Sequence, residues 1–203
     1  MFITFEGIDA SGKSTQAKLF AEYLSLSKKK YIFVREPGGT NAGEEIRQIL
    51  LHRNHTMCGE TEFLLFSAAR AQLTRELILP NLNKGYIVVA DRYADSSLAY
   101  QGYGRGLDIE MVKEISRFAV SKLTPDLTFF IDIPVYEAIN RMRKEMKSDR
   151  IEIEGSDFFE RVRRGYLKLR EEDSSRFHII DGTRDIRSIQ DEIRNVFLNY
   201  PVK

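Results

Sequence analysis

Gly7, Gly12, Lys13 and Ser14 spell G-x-x-x-x-G-K-[ST] directly after the apolar run Met1 to Glu6. Glycines at those positions leave room for a loop whose backbone N–H groups converge on an anion. Lys13 reaches outer phosphates, and the Ser14 hydroxyl can ligate Mg²⁺. The four positions match by chance in about one per cent of chains this long, so a strand before and a helix after the loop make a nucleoside triphosphate cradle the stronger reading. The motif names the ligand and leaves the reaction open.

Four further clusters could supply the chemistry. Arg35-Glu36-Pro37-Gly38-Gly39-Thr40 follows a second apolar run, where proline and two glycines break regular structure and deliver charge to a sheet edge. Asp91-Arg92-Tyr93 follows a third run, placing Asp91 as an Mg²⁺-associated acid and Arg92 as a bidentate phosphate ligand. Phe66 and Arg70 stand four apart and share one helix face, an aromatic beside a fork donor that could hold a base. The segment Arg141 to Arg150 carries five basic residues, either a solvated face or a lid that covers a reactive phosphoryl group. His52, His55 and His178 have no metal-ligand spacing.

These residues need a frame that brings loop ends together. Strand-like runs at Met1–Phe5, Tyr31–Val34, Ile87–Ala90, Leu127–Ile133 and Phe177–Ile180 alternate with helical periodicity over 13–26, 42–51, 60–83, 109–122, 135–143, 157–172 and 186–198. Runs such as Ile87-Val88-Val89-Ala90 are apolar on both faces, so the expectation is a doubly wound α/β fold of the P-loop NTPase type. It has a five-stranded parallel sheet with helices on both faces and ligands beyond the strands' carboxyl ends.

At 203 residues and 42% hydrophobic content, one domain over 1–203 is expected, with a lid segment near 142–154. The net charge of +1 predicts no nucleic-acid partner. Cys58 alone excludes an intrachain disulfide. No apolar run approaches membrane-spanning length and no basic leader precedes Glu6, so a soluble cytoplasmic protein is expected.

A GTPase reads guanine through N-K-x-D. The nearest match, Asn83-Lys84-Gly85-Tyr86, has Tyr for Asp and precedes a strand instead of following one. Arginines at several strand ends argue for a second anionic ligand beside the nucleotide, hence a phosphotransfer kinase. A hydroxyl acceptor needs a base, for which Glu36 is placed. A phosphate acceptor is already mostly dianionic at neutral pH and needs cations instead, which Arg35, Arg47 and Arg92 supply. The alternatives are a deoxynucleoside kinase with Glu36 as base and a non-catalytic ATP-binding module.

The chain resembles the thymidylate kinase family in Phe5-Glu6-Gly7-Ile8-Asp9, Arg35 to Thr40, Asp91-Arg92-Tyr93, Ser96 to Gly102 and Pro125-Asp126-Leu127, in that order. The resemblance implies transfer of the ATP γ-phosphate to dTMP with Mg²⁺, giving dTDP for dTTP synthesis, in a homodimer. It implies an ATP loop of Gly7, Ile8, Asp9, Ala10, Ser11, Gly12, Lys13, Ser14 and Thr15, with Arg141, Asp181 and Gly182 around adenine and metal on Ser14 and Asp91. On the acceptor side it implies Arg47 and Arg92 on the phosphate, with Glu36 and Pro37 among the substrate-binding residues. Phe66 would stack on thymine, Arg70 would hydrogen-bond a thymine carbonyl, Ser97 and Gln101 would lie near the base edge, and Tyr100 would crowd the sugar's 2′ position. Asp9, Lys13, Arg92 and Arg150 would act in catalysis. Ala10 and Ser11 leave the loop without an arginine, which assigns the charge-stabilising arginine to the lid, Arg150 first and Arg143 second.

Overall fold

Side-chain alternation along each strand divides the interior into two layers. In the computed structural model, which describes residues 1–52, 56–144 and 150–201, Ile3, Phe5, Val89, Phe129, Ile131 and Ile180 share one cluster with Phe20, Leu24, Ile189 and Ile193. The intervening residues Phe2, Val88 and Ala90 face Leu73, Ile78 and Tyr93, and Phe130 faces Phe159, Val162 and Tyr166. Period-two alternation with both faces apolar requires a covering layer on each side.

The strands are β1 (Phe2–Glu6), β2 (Tyr31–Arg35), β3 (Ile87–Asp91), β4 (Leu127–Asp132) and β5 (Phe177–Asp181), all parallel, in the order β2-β3-β1-β4-β5. The helices are α1 (Lys13–Leu26), α2 (Asn41–Leu51), α3 (Gly59–Leu73), α4 (Leu79–Asn83), α5 (Ala94–Ser97), α6 (Ile109–Ala119), α7 (Val135–Lys144), α8 (Ser156–Glu172) and α9 (Ile186–Asn199). Register pairs both Phe5 and Arg35 with Asp91. The carboxyl ends of three strands are therefore level, and their loops open on one crevice.

The expected helix over 60–83 forms as α3 and α4 joined by a π-helical turn, Thr74–Ile78. Pro80 has no N–H to give to the Glu76 carbonyl, and the ladder loosens just before it. The stretch after β3, read only as a motif, is helical: α5 runs on as a π-helical segment, Leu98–Gly104. Its glycines lower helix propensity, but they serve packing. A Cβ on Gly104 would lie 2.8 Å from Phe158 and Val162, and one on Gly165 would lie 2.8 Å from Tyr103. Bare backbone at both points lets α8 approach this segment closely, which carries Tyr166 beneath the crevice.

The segment expected as a lid is described at 142–144 and 150–154; its centre, 145–149, and His55 lie outside the described residues. Among the described residues no helix is long and apolar enough to cross a membrane.

Candidate phosphate cleft

The loop after β1 takes the shape its glycines permit. Gly7 has φ 150°, and a Cβ there would stand 2.6 Å from the Ile131 carbonyl oxygen; Gly12 is left-handed at φ 93°. Ala10 is also left-handed at φ 57°. Ser11 N–H donates to the Ile8 carbonyl at 3.2 Å, and the Lys13 ammonium folds back to that carbonyl at 3.4 Å, 3.9 Å from Asp9. Burial, then the charge of Arg92, lowers the Lys13 pKa. A triphosphate entering the loop would restore the solvation this ammonium has lost.

Arg92 is the hub of the crevice. It sits at φ 72°, a left-handed conformation costing about 1–3 kcal/mol in a non-glycine residue and found where surrounding structure enforces it. Its Nη2 donates to Asp9 Oδ1 at 2.6 Å and Tyr100 Oη at 3.0 Å; its Nη1 donates to the Gly7 carbonyl at 2.9 Å. Tyr100 Oη in turn donates to Asp9 Oδ2 at 2.7 Å. Burial alone would raise Asp9, but Arg92 and Lys13 hold its carboxyl below the ordinary value. Burial first, and Asp9 beside it, pushes Tyr100 well above the usual phenol range, so it remains a donor.

The floor beneath Arg92 contains a group without a role in the sequence reading. Glu6 accepts from Tyr93 N–H at 2.8 Å, Ser96 Oγ at 2.6 Å and Tyr166 Oη at 2.8 Å. Burial, then Asp95, pushes Glu6 up to about 7. A fully buried acid at the end of an apolar strand is a signal legible in sequence; its partner Tyr166 is 160 residues away and was not.

Across the crevice, Arg70 donates to Glu36 Oε2 from Nε at 2.7 Å, and from Nη1 to Ser97 Oγ at 2.8 Å. Both ends of this ion pair are buried. Burial raises the Glu36 pKa against the pull of Arg70, and Glu36 Oε1 has no hydrogen-bond partner among the described residues. Phe66, Arg70, Ser97, Tyr100 and Gln101 line one wall. Arg47 Nη1 donates to the Pro37 carbonyl at 2.8 Å, while Arg35 turns to Glu44 at 3.2 Å.

One cleft of about 800 Å³ joins these walls, from Gly182 and Arg141 past the loop to Phe66 and Arg70. Asp9, Ala10, Ser11, Gly12, Lys13, Ser14 and Thr15 line it, as do Glu36, Pro37, Arg47, Asp91 and Arg92. Gly7 and Ile8 shape the loop from behind, through their carbonyls. Arg141 reaches the Ala10 carbonyl at 3.3 Å and the Gly182 carbonyl at 3.1 Å. Asp181 turns away and caps Thr183 N–H at 2.9 Å. Asp91 Oδ1 is buried without a partner among the described residues, and Asp91 lines the same cleft as Ser14, so these two oxygens fit a Mg²⁺ ion that also binds phosphates.

Arg150 stands apart from the cleft walls. Its Nη2 donates to Glu62 Oε2 at 2.6 Å and its Nε to the Leu50 carbonyl at 2.9 Å. Glu62 also accepts from Arg105 at 3.0 Å and Gln101 at 2.9 Å, and these donors hold its pKa down despite burial. Spacing in the sequence carries no sign of this four-residue knot.

Comparison with known proteins points one way. A family model described as Thymidylate kinase matches residues 5–193. The thymidylate kinase of Kosmotoga olearia is 56% identical over 198 residues, covering 98% of this chain and 95% of that protein. The thymidylate kinase of Fervidobacterium nodosum is 52% identical over 200 residues, covering 98% and 100%. The crystal structure of thymidylate kinase from Ehrlichia chaffeensis superposes with a TM-score of 0.81 at 35% identity, covering 98% of each chain.

Proposed function

The chain belongs to the thymidylate kinase family and phosphorylates dTMP to dTDP with ATP, and from that premise we propose which residues of the cleft perform the transfer. The reading rests on one observation: the triphosphate loop and the Arg92 cluster share a cleft with the buried Arg70 fork and the Phe66 ring.

In this reading the loop from Gly7 to Thr15 holds the ATP phosphates through backbone N–H groups, with Lys13 on the outer ones. Arg141 and Gly182 hold adenine, and Asp181 shapes the turn beside it. Phe66 stacks on thymine, Arg70 donates to a carbonyl of the base, and Ser97 and Gln101 stand at its edge. Tyr100, fixed on Asp9, crowds the ribose 2′ position. Arg92, with Arg47 and the Glu36-Pro37 turn, brings the dTMP phosphate in line with the donor. An oxygen of that phosphate bonds the γ-phosphorus as the bridge to ADP breaks. The acceptor oxygen carries no proton to remove, so Glu36 serves by anchoring Arg70 instead of as a base. Mg²⁺ held by Ser14 and Asp91 would neutralise charge on the phosphates. Arg150, and Arg143 after it, is our assignment for the cation that meets the migrating group, which requires Arg150 to leave Glu62.

Two further assignments concern context. We propose a homodimer through α3 and α6, which pack together and expose Leu64, Met111 and Phe118, the last 81% exposed. Light scattering on the purified chain at micromolar concentration tests it, a monomer mass ruling it out. The exposed free thiol of Cys58 suits a reducing, cytoplasmic setting.

The transfer is tested by ADP release with ATP and Mg²⁺, offering dTMP and thymidine separately. Release with dTMP alone supports the assignment. Release with thymidine alone would restore Glu36 as a base, and release with neither would mark a binding module.

A further inference from the structure

Glu6 closes β1 with no exposed surface and does not itself line the cleft. Oε1 accepts from the Tyr93 N–H; Oε2 accepts from Ser96 Oγ and Tyr166 Oη. Those two hydroxyl oxygens lie 2.9 Å apart, and Arg92 Nη1 approaches them at 3.2 Å and 3.3 Å. A hydroxyl has one hydrogen and a guanidinium only donates. With both hydrogens given to Glu6, both oxygens offer lone pairs to Arg92. A hydrogen turned toward Arg92 would face its N–H and push it off.

A carboxylate that merely neutralised Arg92 would sit on it, as Asp9 does at 2.6 Å. The bonds of Glu6 instead run to hydroxyls and backbone, so its influence reaches Arg92 through the direction of two O–H bonds. Nearby Asp95 has its own counter-ion in Arg176 at 2.7 Å. The close approach of α8 at Gly104 and Gly165 is what carries Tyr166 into this relay.

We infer that Glu6 is a positioning residue for phosphoryl transfer: through Ser96 and Tyr166 it aims Nη1 of Arg92, which keeps Nη2 on Asp9 and Tyr100 and the guanidinium turned to the acceptor phosphate. The inference rests on the role proposed above for Arg92.

The test compares wild type, Glu6→Gln, the double variant Ser96→Ala/Tyr166→Phe, and the triple variant, by ADP release at about pH 8. Glu6→Gln keeps the shape but withdraws one acceptor, so the KM for dTMP rises about tenfold while the KM for ATP stays within about twofold. The triple variant is no worse than the double, because Glu6 then has no hydroxyls to orient. An unchanged dTMP KM in Glu6→Gln, equal shifts in both KM values, or a triple variant carrying the full extra loss overturns the inference. Should Glu6→Gln not fold, Tyr166→Phe and Ser96→Ala singly decide it: each raises the dTMP KM alone, and no change in either overturns the inference. Wild type without dTMP-dependent ADP release would instead defeat the functional reading on which this one stands.

Discussion

Arg150 Nη2 lies 2.6 Å from Glu62 Oε2, inside a knot that also holds Arg105 and Gln101. The arginine assigned to the migrating phosphoryl group is thus tied to the residue that orients a proposed base contact. A charge met only in the transition state affects turnover more than binding.

Arg150→Ala will therefore lower kcat at least about a hundredfold and change the KM for dTMP by less than about threefold. Steady-state rates with dTMP varied at saturating ATP decide it. Full kcat would move the assignment to Arg143.

Removing Arg92 acts differently, because it leaves Asp9 and Tyr100 paired around an empty place and the acceptor phosphate without the cation we propose for it. Arg92→Ala will cut kcat/KM for dTMP at least about a hundredfold. Calorimetric titration of dTMP without ATP will show the affinity loss directly, and an unaltered affinity would contradict the assignment.

The Arg70–Glu36 pair makes a prediction about stability. Arg70→Met leaves a buried carboxylate unpaired, at a cost of about 3–5 kcal/mol. Arg70→Met/Glu36→Gln will recover much of that loss while remaining poor with dTMP. Urea unfolding of the three proteins checks it; a double variant no more stable than the single one would show that the charge is not the cause.

Glu6 adds a pH dependence of known sign. Its folded pKa of about 7 lies above the ordinary 4.5. The folded state holds the proton more tightly, so stability contributed by protonated Glu6 is complete below pH 4.5 and is lost as pH rises through 7. The Tm of wild type relative to Glu6→Gln will fall by at least about 3 °C between those limits, measured by calorimetry. A constant difference would place the Glu6 pKa near its ordinary value.

Gly165 tests how packing reaches the site. Gly165→Ala sets a methyl group 2.8 Å from the Tyr103 ring and will cost about 1–3 kcal/mol. Because α8 carries Tyr166, the same change will raise the dTMP KM at temperatures where the protein stays folded. Lost stability with an unmoved KM would separate packing from the site.

Local patterns made much of this legible. The five strands and the helix over 13–26 fall where alternation and 3.6-residue periodicity put them, because both sheet faces are buried and each run carries the pattern in its own residues. The loop from Gly7 to Ser14 is readable for the same reason: its backbone shape depends on which residues lack a Cβ. Phe66 and Arg70 were paired from their spacing, and they do share the cleft.

The helical stretch after β3 escaped reading because its glycines oppose helix formation locally, and Gly104 is justified only by Phe158 and Val162 of a helix more than fifty residues downstream. The sequence by itself determined the sheet, the phosphate loop and the supply of arginines at strand ends, since each follows from neighbours in the chain. Only the tertiary structure decided what each arginine touches: Arg92 on Asp9 above the Glu6 relay, Arg70 on Glu36, Arg35 on Glu44, and Arg150 on Glu62. The physical reason is that a guanidinium serves equally as counter-ion or phosphate ligand, and its partner is chosen by whichever carboxylate the fold buries within reach.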